Sequence, residues 1–93
     1  MTERKVALVT AAAGAGIGAA IARQLAEDDL EVVITDAHER RCGELASELS
    51  EKYGRKFLSK LLDVTDFEAV EIVVHEIVKE YGQIDVLINN AGW

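Results

Sequence analysis

Four short apolar runs alternate along this chain with three stretches whose apolar residues recur every three or four positions. That alternation restricts the fold more than any other feature. The runs are Lys5–Thr10, Glu31–Asp36, Arg55–Asp63 and Ile84–Asn89. All are short, and the valines and isoleucines of the first, second and fourth favour extended backbone. The first helical stretch starts at Ile17 and should stop near Asp28 and Asp29. Its spacing puts Ile17, Ala20, Ile21, Gln24 and Leu25 on the inner face, opposite Arg23, Glu27 and Asp28. The second runs from His38 to Tyr53, with Cys42, Leu45, Ala46 and Leu49 inward and Gly54 as the stop. The third starts at Asp66, with Thr65 or Asp66 as N-cap. It buries Val70, Val73, Val74, Ile77 and Val78, and ends between Tyr81 and Gly82. Strands joined through helices must run parallel, with right-handed crossovers. The expected class is α/β, in the order β-α-β-α-β-α-β.

Length and charge narrow the function classes. Ninety-three residues hold one domain. With 49% hydrophobic residues the chain has enough apolar material to fold, unlike a disordered segment. A net charge of −7 disfavours a nucleic-acid groove and a membrane-surface helix, which need clustered positive charge. No run of 18 apolar residues is present, and Thr2, Glu3, Arg4 and Lys5 lead straight into the first strand rather than into a signal peptide. The one cysteine, Cys42, suits a reducing compartment, so a cytoplasmic location is expected. Neither Cys42 nor His75 sits in a metal-binding or nucleophilic pattern.

The chemistry is carried by the turn Thr10-Ala11-Ala12-Ala13-Gly14-Ala15-Gly16-Ile17-Gly18-Ala19, between the first strand and first helix. Small residues let backbone approach a pyrophosphate, and a helix N-terminus offers it N–H groups and a positive dipole end. Gly14, Gly16 and Ala19 fit the G-x-G-x-x-G/A dinucleotide fingerprint, with strand before and helix after. Asp36 ends the second strand, where an acid can accept hydrogen bonds from the adenosine ribose. Its charge repels a 2′-phosphate and so favours NAD over NADP. His38, Arg40 and Arg41 soften that preference.

Together with Asp63-Val64 and Asn89-Asn90-Ala91-Gly92, this turn resembles the N-terminal part of the short-chain dehydrogenase/reductase family. The resemblance covers essentially the whole chain. It implies a Rossmann-type parallel sheet of strand order 3-2-1-4, truncated relative to the full family fold, with residues 1–93 forming an NAD(P)-binding domain. It also implies residue roles. The turn from Thr10 through Gly14 and Gly16 to Gly18 cradles the pyrophosphate, and Ile17 packs on the nicotinamide side. Asp36 holds the ribose, and Asp63 and Val64 border the adenine. Asn90, Ala91 and Gly92 line the cleft, and Asn89 ties strands together. The turn and the run Asp36-Ala37-His38-Glu39-Arg40-Arg41 are similar to actinobacterial reductases linked to steroid-ring breakdown. The family's usual turn is Thr-Gly-x-x-x-Gly-Ile-Gly. Here either Ala12 replaces its first glycine, or the loop carries one extra residue after Thr10.

The family's proton-transfer pair, Tyr-x-x-x-Lys, is absent: Phe57 follows Tyr53 at that spacing and Asp85 follows Tyr81. The family places its catalytic residues beyond the fourth strand. The expected function is therefore the cofactor-binding part of an NAD(P)-dependent oxidoreductase acting on a carbonyl/alcohol pair, inactive by itself. Two alternatives stand beside it. One is a non-catalytic dinucleotide-binding or assembly module, self-associating through an exposed fourth strand. The other is an S-adenosylmethionine-binding domain, which shares the glycine turn and an acid after the second strand.

Overall fold

The computed structural model describes residues 3–11 and 16–90. The elements follow the expected order: β1 (Val6–Val9), α1 (Ile17–Glu27), β2 (Glu31–Asp36), α2 (Glu39–Tyr53), β3 (Ser59–Leu61), α3 (Phe67–Tyr81) and β4 (Val86–Ile88). The strands form one parallel sheet in the order β3-β2-β1-β4. From β1 the chain steps outward through β2 to β3, then crosses to β4 on the other side. The direction of winding therefore reverses at β1.

Strand alternation divides the core. Val9, Val32 and Ile34 face α1 and α2, where Ala19, Ala22, Ala26, Cys42, Leu45 and Leu49 meet them. Val6, Leu8 and Val33 point the other way, onto Val73 and Ile77 of α3. Burial of side chains such as Ile34, Leu49 and Ile77 contributes about 1.5–3 kcal/mol each. Two buried polar chains are satisfied internally. Thr35 Oγ1 donates to the Val9 carbonyl at 2.7 Å. Glu31 accepts from Arg55 at 2.5 Å, and the Arg55 guanidinium stacks on Phe57.

Three expectations need correcting. The inner face of α1 is not Ile17, Ala20 and Gln24; its buried residues are Gly18, Ala19, Ala22 and Ala26, with Ile21 and Leu25 only half-buried. Small side chains at those positions let the helix axis approach the sheet closely, and shape decides the face where hydrophobicity alone pointed elsewhere. β3 and β4 are three residues each, shorter than the apolar runs that contain them. Both lie at sheet edges, where one row of ladder partners is missing.

The helix ends are built from local chemistry. Asp66 caps α3 by accepting from the Ala69 N–H at 3.1 Å. Gly54 and Gly82 close α2 and α3 in the left-handed conformation, at φ 66° and 84°. At the end of α1 an aspartate does the same: Asp29 has φ 66°. The N–H groups of Asp29 and Leu30 return to the carbonyls of Ala26 and Leu25. Arg4 fixes this turn by donating to Asp29 at 2.9 Å, which holds that carboxyl below the usual aspartate range.

Candidate functional site

Every described site residue lies at the carboxyl end of the sheet, where ligands bind in open α/β folds. Thr10 follows β1, Asp36 ends β2, Asp63 and Val64 follow β3, and Asn89 and Asn90 follow β4. Because β1 and β4 are neighbours at the winding reversal, Thr10, Ala11 and Gly18 meet Asn89 and Asn90 at one junction. Gly14, Ala91 and Gly92 lie outside the described residues.

Thr10, itself buried, is the hub of that junction. Its N–H donates to the Ile88 carbonyl at 3.0 Å, and its hydroxyl accepts from the Asn90 N–H at 2.9 Å. The hydroxyl proton is shared between the Ile88 carbonyl and Asn89 Oδ1, at 3.4 and 3.3 Å. Asn90 Nδ2 donates to the Ala11 carbonyl at 3.3 Å. Asn90, expected as cleft lining, anchors Ala11. Ala11 is held at φ 50°, a left-handed conformation that disfavours a Cβ by about 1–2 kcal/mol. The Thr-Gly step of the family pattern therefore falls on Thr10-Ala11. Four residues, 12–15, separate it from Gly16 instead of three, which is the extra-residue alternative.

Gly18 is the point of closest approach. A Cβ built there would run into the Ala11 carbonyl and lie 2.6 Å from Asn90 Nδ2. Ala19, the last position of the fingerprint, is a fully buried core residue. Gly16 differs. It is the N-cap of α1 in extended backbone, and a Cβ there would meet nothing within 4 Å among the described residues.

The N-terminus of α1 has no side-chain cap and no acid in its first turn. In contrast, α3 has Asp66 and Glu68, and α2 has Glu39. An open, acid-free helix start favours an anion. Ile17, the first residue of α1, is 72% exposed beside this opening. Asp36 is half-buried; its Oδ1 accepts from the His38 N–H at 2.9 Å, which turns the chain into α2. Asp63 Oδ1 accepts from the Thr65 N–H and hydroxyl at 2.9 and 2.6 Å. Those bonds hold its carboxyl below the usual range, so it stays ionised at neutral pH. Val64 is half-buried against the α3 side of the core.

Cys42 is excluded from this chemistry. Burial, then the charges of Asp36 and Glu39, push its thiol up to about 11, so almost no thiolate exists at neutral pH. A thiol reagent at pH 7.5 should label native protein at least about a hundredfold more slowly than the unfolded chain. Equal rates would show that Cys42 is accessible. His75 lies exposed on α3. Among the described residues, no group of three metal-ligating side chains occurs, and no helix is long and apolar enough to cross a membrane.

The short chain dehydrogenase family matches residues 5–93. The chain is 44% identical over 92 residues to (5R,7aS)-5-hydroxy-7a-methyl-1-oxo-2,3,5,6,7,7a-hexahydro-1H-indene-carboxyl-CoA reductase of Mycobacterium tuberculosis. That match covers 99% of this chain and 35% of the relative. A short chain dehydrogenase structure from Mycobacterium smegmatis superposes with a TM-score of 0.89 at 45% identity, covering 97% of this chain and 37% of that one. L-sorbose reductase from Gluconobacter frateurii, solved with NADPH and L-sorbose, is similar at a TM-score of 0.89 and 37% identity, over 97% and 34% of the two chains. NAD+-bound xylitol dehydrogenase is similar at 0.87 and 39%, over 96% and 34%. The chain spans about a third of the length of these relatives. From its sheet order, its glycine turn and these similarities, the chain belongs to the short-chain dehydrogenase family.

Proposed function

We propose that residues 1–93 form a dinucleotide-binding domain, the cofactor-holding part of an oxidoreductase that moves a hydride between nicotinamide and a carbonyl/alcohol pair. The observation that carries this reading is the open start of α1. It is uncapped, free of acids and fronted by Gly16, where among the described residues nothing lies within 4 Å of a Cβ position. In this reading the pyrophosphate sits on the turn from Thr10 to Gly18, Gly14 included. Ile17 borders the nicotinamide side, Asp36 accepts from the ribose, and Asp63 and Val64 border the adenine. Asn90, Ala91 and Gly92 line the cleft. The cofactor supplies the hydride; these residues supply position and electrostatics.

NAD is favoured over NADP, because a carboxylate at Asp36 repels a 2′-phosphate. Similar structures carry either cofactor. Calorimetry with NAD, NADP and S-adenosylmethionine tests the choice, with NAD expected to bind most tightly. Asp36→Ala should weaken NAD binding by about 1–3 kcal/mol through lost ribose hydrogen bonds. An unchanged affinity would place the ribose elsewhere. Preference for S-adenosylmethionine would overturn the dinucleotide reading.

The 93 residues contain no Tyr-x-x-x-Lys, so binding without turnover is proposed. Mixed with NADH and ketones, the chain should consume no NADH above background. The reading also includes self-association, since β4 lies at a sheet edge, and a cytoplasmic location, which suits one buried thiol.

A further inference from the structure

The backbone that carries Asp36 ends in a corner between three elements. The β2–β3 pairing reaches Asp36 and Leu61, and the Leu62 N–H donates to the Asp36 carbonyl at 2.9 Å. Two residues on, the chain turns toward α2, with the His38 N–H donating to Asp36 Oδ1. The first turn of α2 then closes as the Cys42 N–H donates to the His38 carbonyl at 3.1 Å. The Cys42 side chain points back into the corner. Its Sγ lies 3.9 Å from the Asp36 carbonyl oxygen and 3.8 Å from the Lys60 carbonyl oxygen. One thiol therefore touches the ends of both strands from the helix that follows them. It is 1% exposed.

A thiol suits that place. On the helix side it joins the apolar core of Ile34, Leu45, Ala46 and Leu49. On the strand side two carbonyl oxygens face the sulfur. Cysteine packs as a small apolar group yet keeps a weak S–H donor. The thiol stays protonated at neutral pH, so that donor is always present.

We propose that Cys42 is a positioning residue for the Asp36 carboxylate, setting the distance between the start of α2 and the ends of β2 and β3. The proposal rests on the reading that Asp36 holds the adenosine ribose. Asp36 Oδ1 is bonded to His38, and His38 is bonded through its carbonyl to Cys42. A displacement of the first turn of α2 therefore moves the carboxylate with it. Binding groups must be held within about 0.5 Å of their productive geometry by the residues packed behind them. Cys42 touches no ligand; it acts through the backbone of Asp36 and His38.

Calorimetry with NAD and NADP on the 93-residue chain reads this role as a ratio of affinities. A residue that only stabilises the fold changes both affinities together. One that places Asp36 changes their ratio, because the carboxylate accepts from the ribose hydroxyls of NAD and repels the 2′-phosphate of NADP. Cys42→Val removes the donor and sets a branched methyl group beside the two carbonyls. The preference for NAD should fall at least about fivefold. Cys42→Ser keeps a donor on a side chain of similar size and should hold the preference within about twofold. An unchanged preference in folded Cys42→Val would overturn the proposal, and so would a serine variant as impaired as the valine one. Should Cys42→Val fail to fold, Cys42→Ala adds no atom and reads the same ratio, and no fall there overturns the proposal equally. In an Asp36→Ala background Cys42→Val should have no further effect on the ratio. An effect of Asp36→Ala with none of Cys42→Val would remove the role of Cys42 and leave the ribose reading standing. Full NAD affinity in Asp36→Ala would overturn the ribose reading itself.

Discussion

Gly18→Ala is expected to destabilise the protein more than any other single-methyl change at the site. The added Cβ would occupy space already filled by the Ala11 carbonyl and would sit 2.6 Å from Asn90 Nδ2. Both neighbours are fixed. Ala11 lies between β1 and the glycine turn at φ 50°, and its carbonyl accepts from Asn90. Asn90 is itself tied to Thr10 through its backbone N–H. The Ala11 carbonyl is backbone, and the Asn90 amide end is bonded to it, so the methyl can enter only if α1 moves off the sheet or Ala11 shifts and the Asn90–Ala11 bond breaks. Overpacking of this kind costs typically 1–3 kcal/mol, and a rigid backbone neighbour puts the cost at the upper end, about 3 kcal/mol. For a domain of this size that is a fall in Tm of about 15 °C, read by thermal or urea denaturation. A loss under about 0.5 kcal/mol would mean that α1 and the Ala11 turn do not approach this closely.

Gly16→Ala should show the reverse. Its backbone is extended, at φ −94°, so alanine fits without strain. No atom of the described residues lies within 4 Å of the new Cβ. Alanine is a slightly poorer N-cap than glycine, so stability should fall by no more than about 1 kcal/mol. The methyl would, however, stand at the mouth of α1, where the pyrophosphate is proposed to reach the helix N–H groups. Excluding it from those donors should weaken NAD binding by about 2–3 kcal/mol, on the order of a hundredfold, in calorimetry. Folded protein with unimpaired binding would place the pyrophosphate away from α1. Together the two glycines, two positions apart, separate the turn's structural requirement from its ligand requirement.

Much of this site was legible from residue order. A turn of small residues between a strand and a helix marks a place where backbone must come close to something, and Asp36, Asp63 and Asn89-Asn90 each follow an apolar run. The parallel connection rule brings the ends of all those runs to one side of the sheet. Which glycine does what was not legible. Gly14, Gly16 and Gly18 differ in sequence only by position, and the close approach at Gly18 exists only once α1 is docked against the β1–β4 junction. Asn90 shows the same thing. Its side chain supports the Ala11 carbonyl across 79 residues of chain, a partnership no local pattern announces.

The face of α1 is the clearest divergence. Counting apolar residues selected Ile17 and Ala20, because transfer free energy grows with side-chain area. The folded protein buries Gly18, Ala19, Ala22 and Ala26 instead. Small residues contribute little area themselves, but they let a helix seat closely on the sheet so that the larger chains of β1 and β2 are fully covered. Ile17 is left exposed at the start of α1. The aspartate that ends α1 in a left-handed turn was likewise unforeseen, because the Arg4 bond that fixes it comes from 25 residues away.

The sequence alone determined the element order, the parallel class and the side of the sheet on which the site lies. Those follow from local periodicity and from the handedness of crossovers, which are properties of short segments. Tertiary structure decided the inner face of α1, the division of labour between Gly16 and Gly18, and the lengths of β3 and β4. Each of these depends on how closely two distant segments approach. That distance is set by the packing of whole surfaces rather than by any residue's own preference.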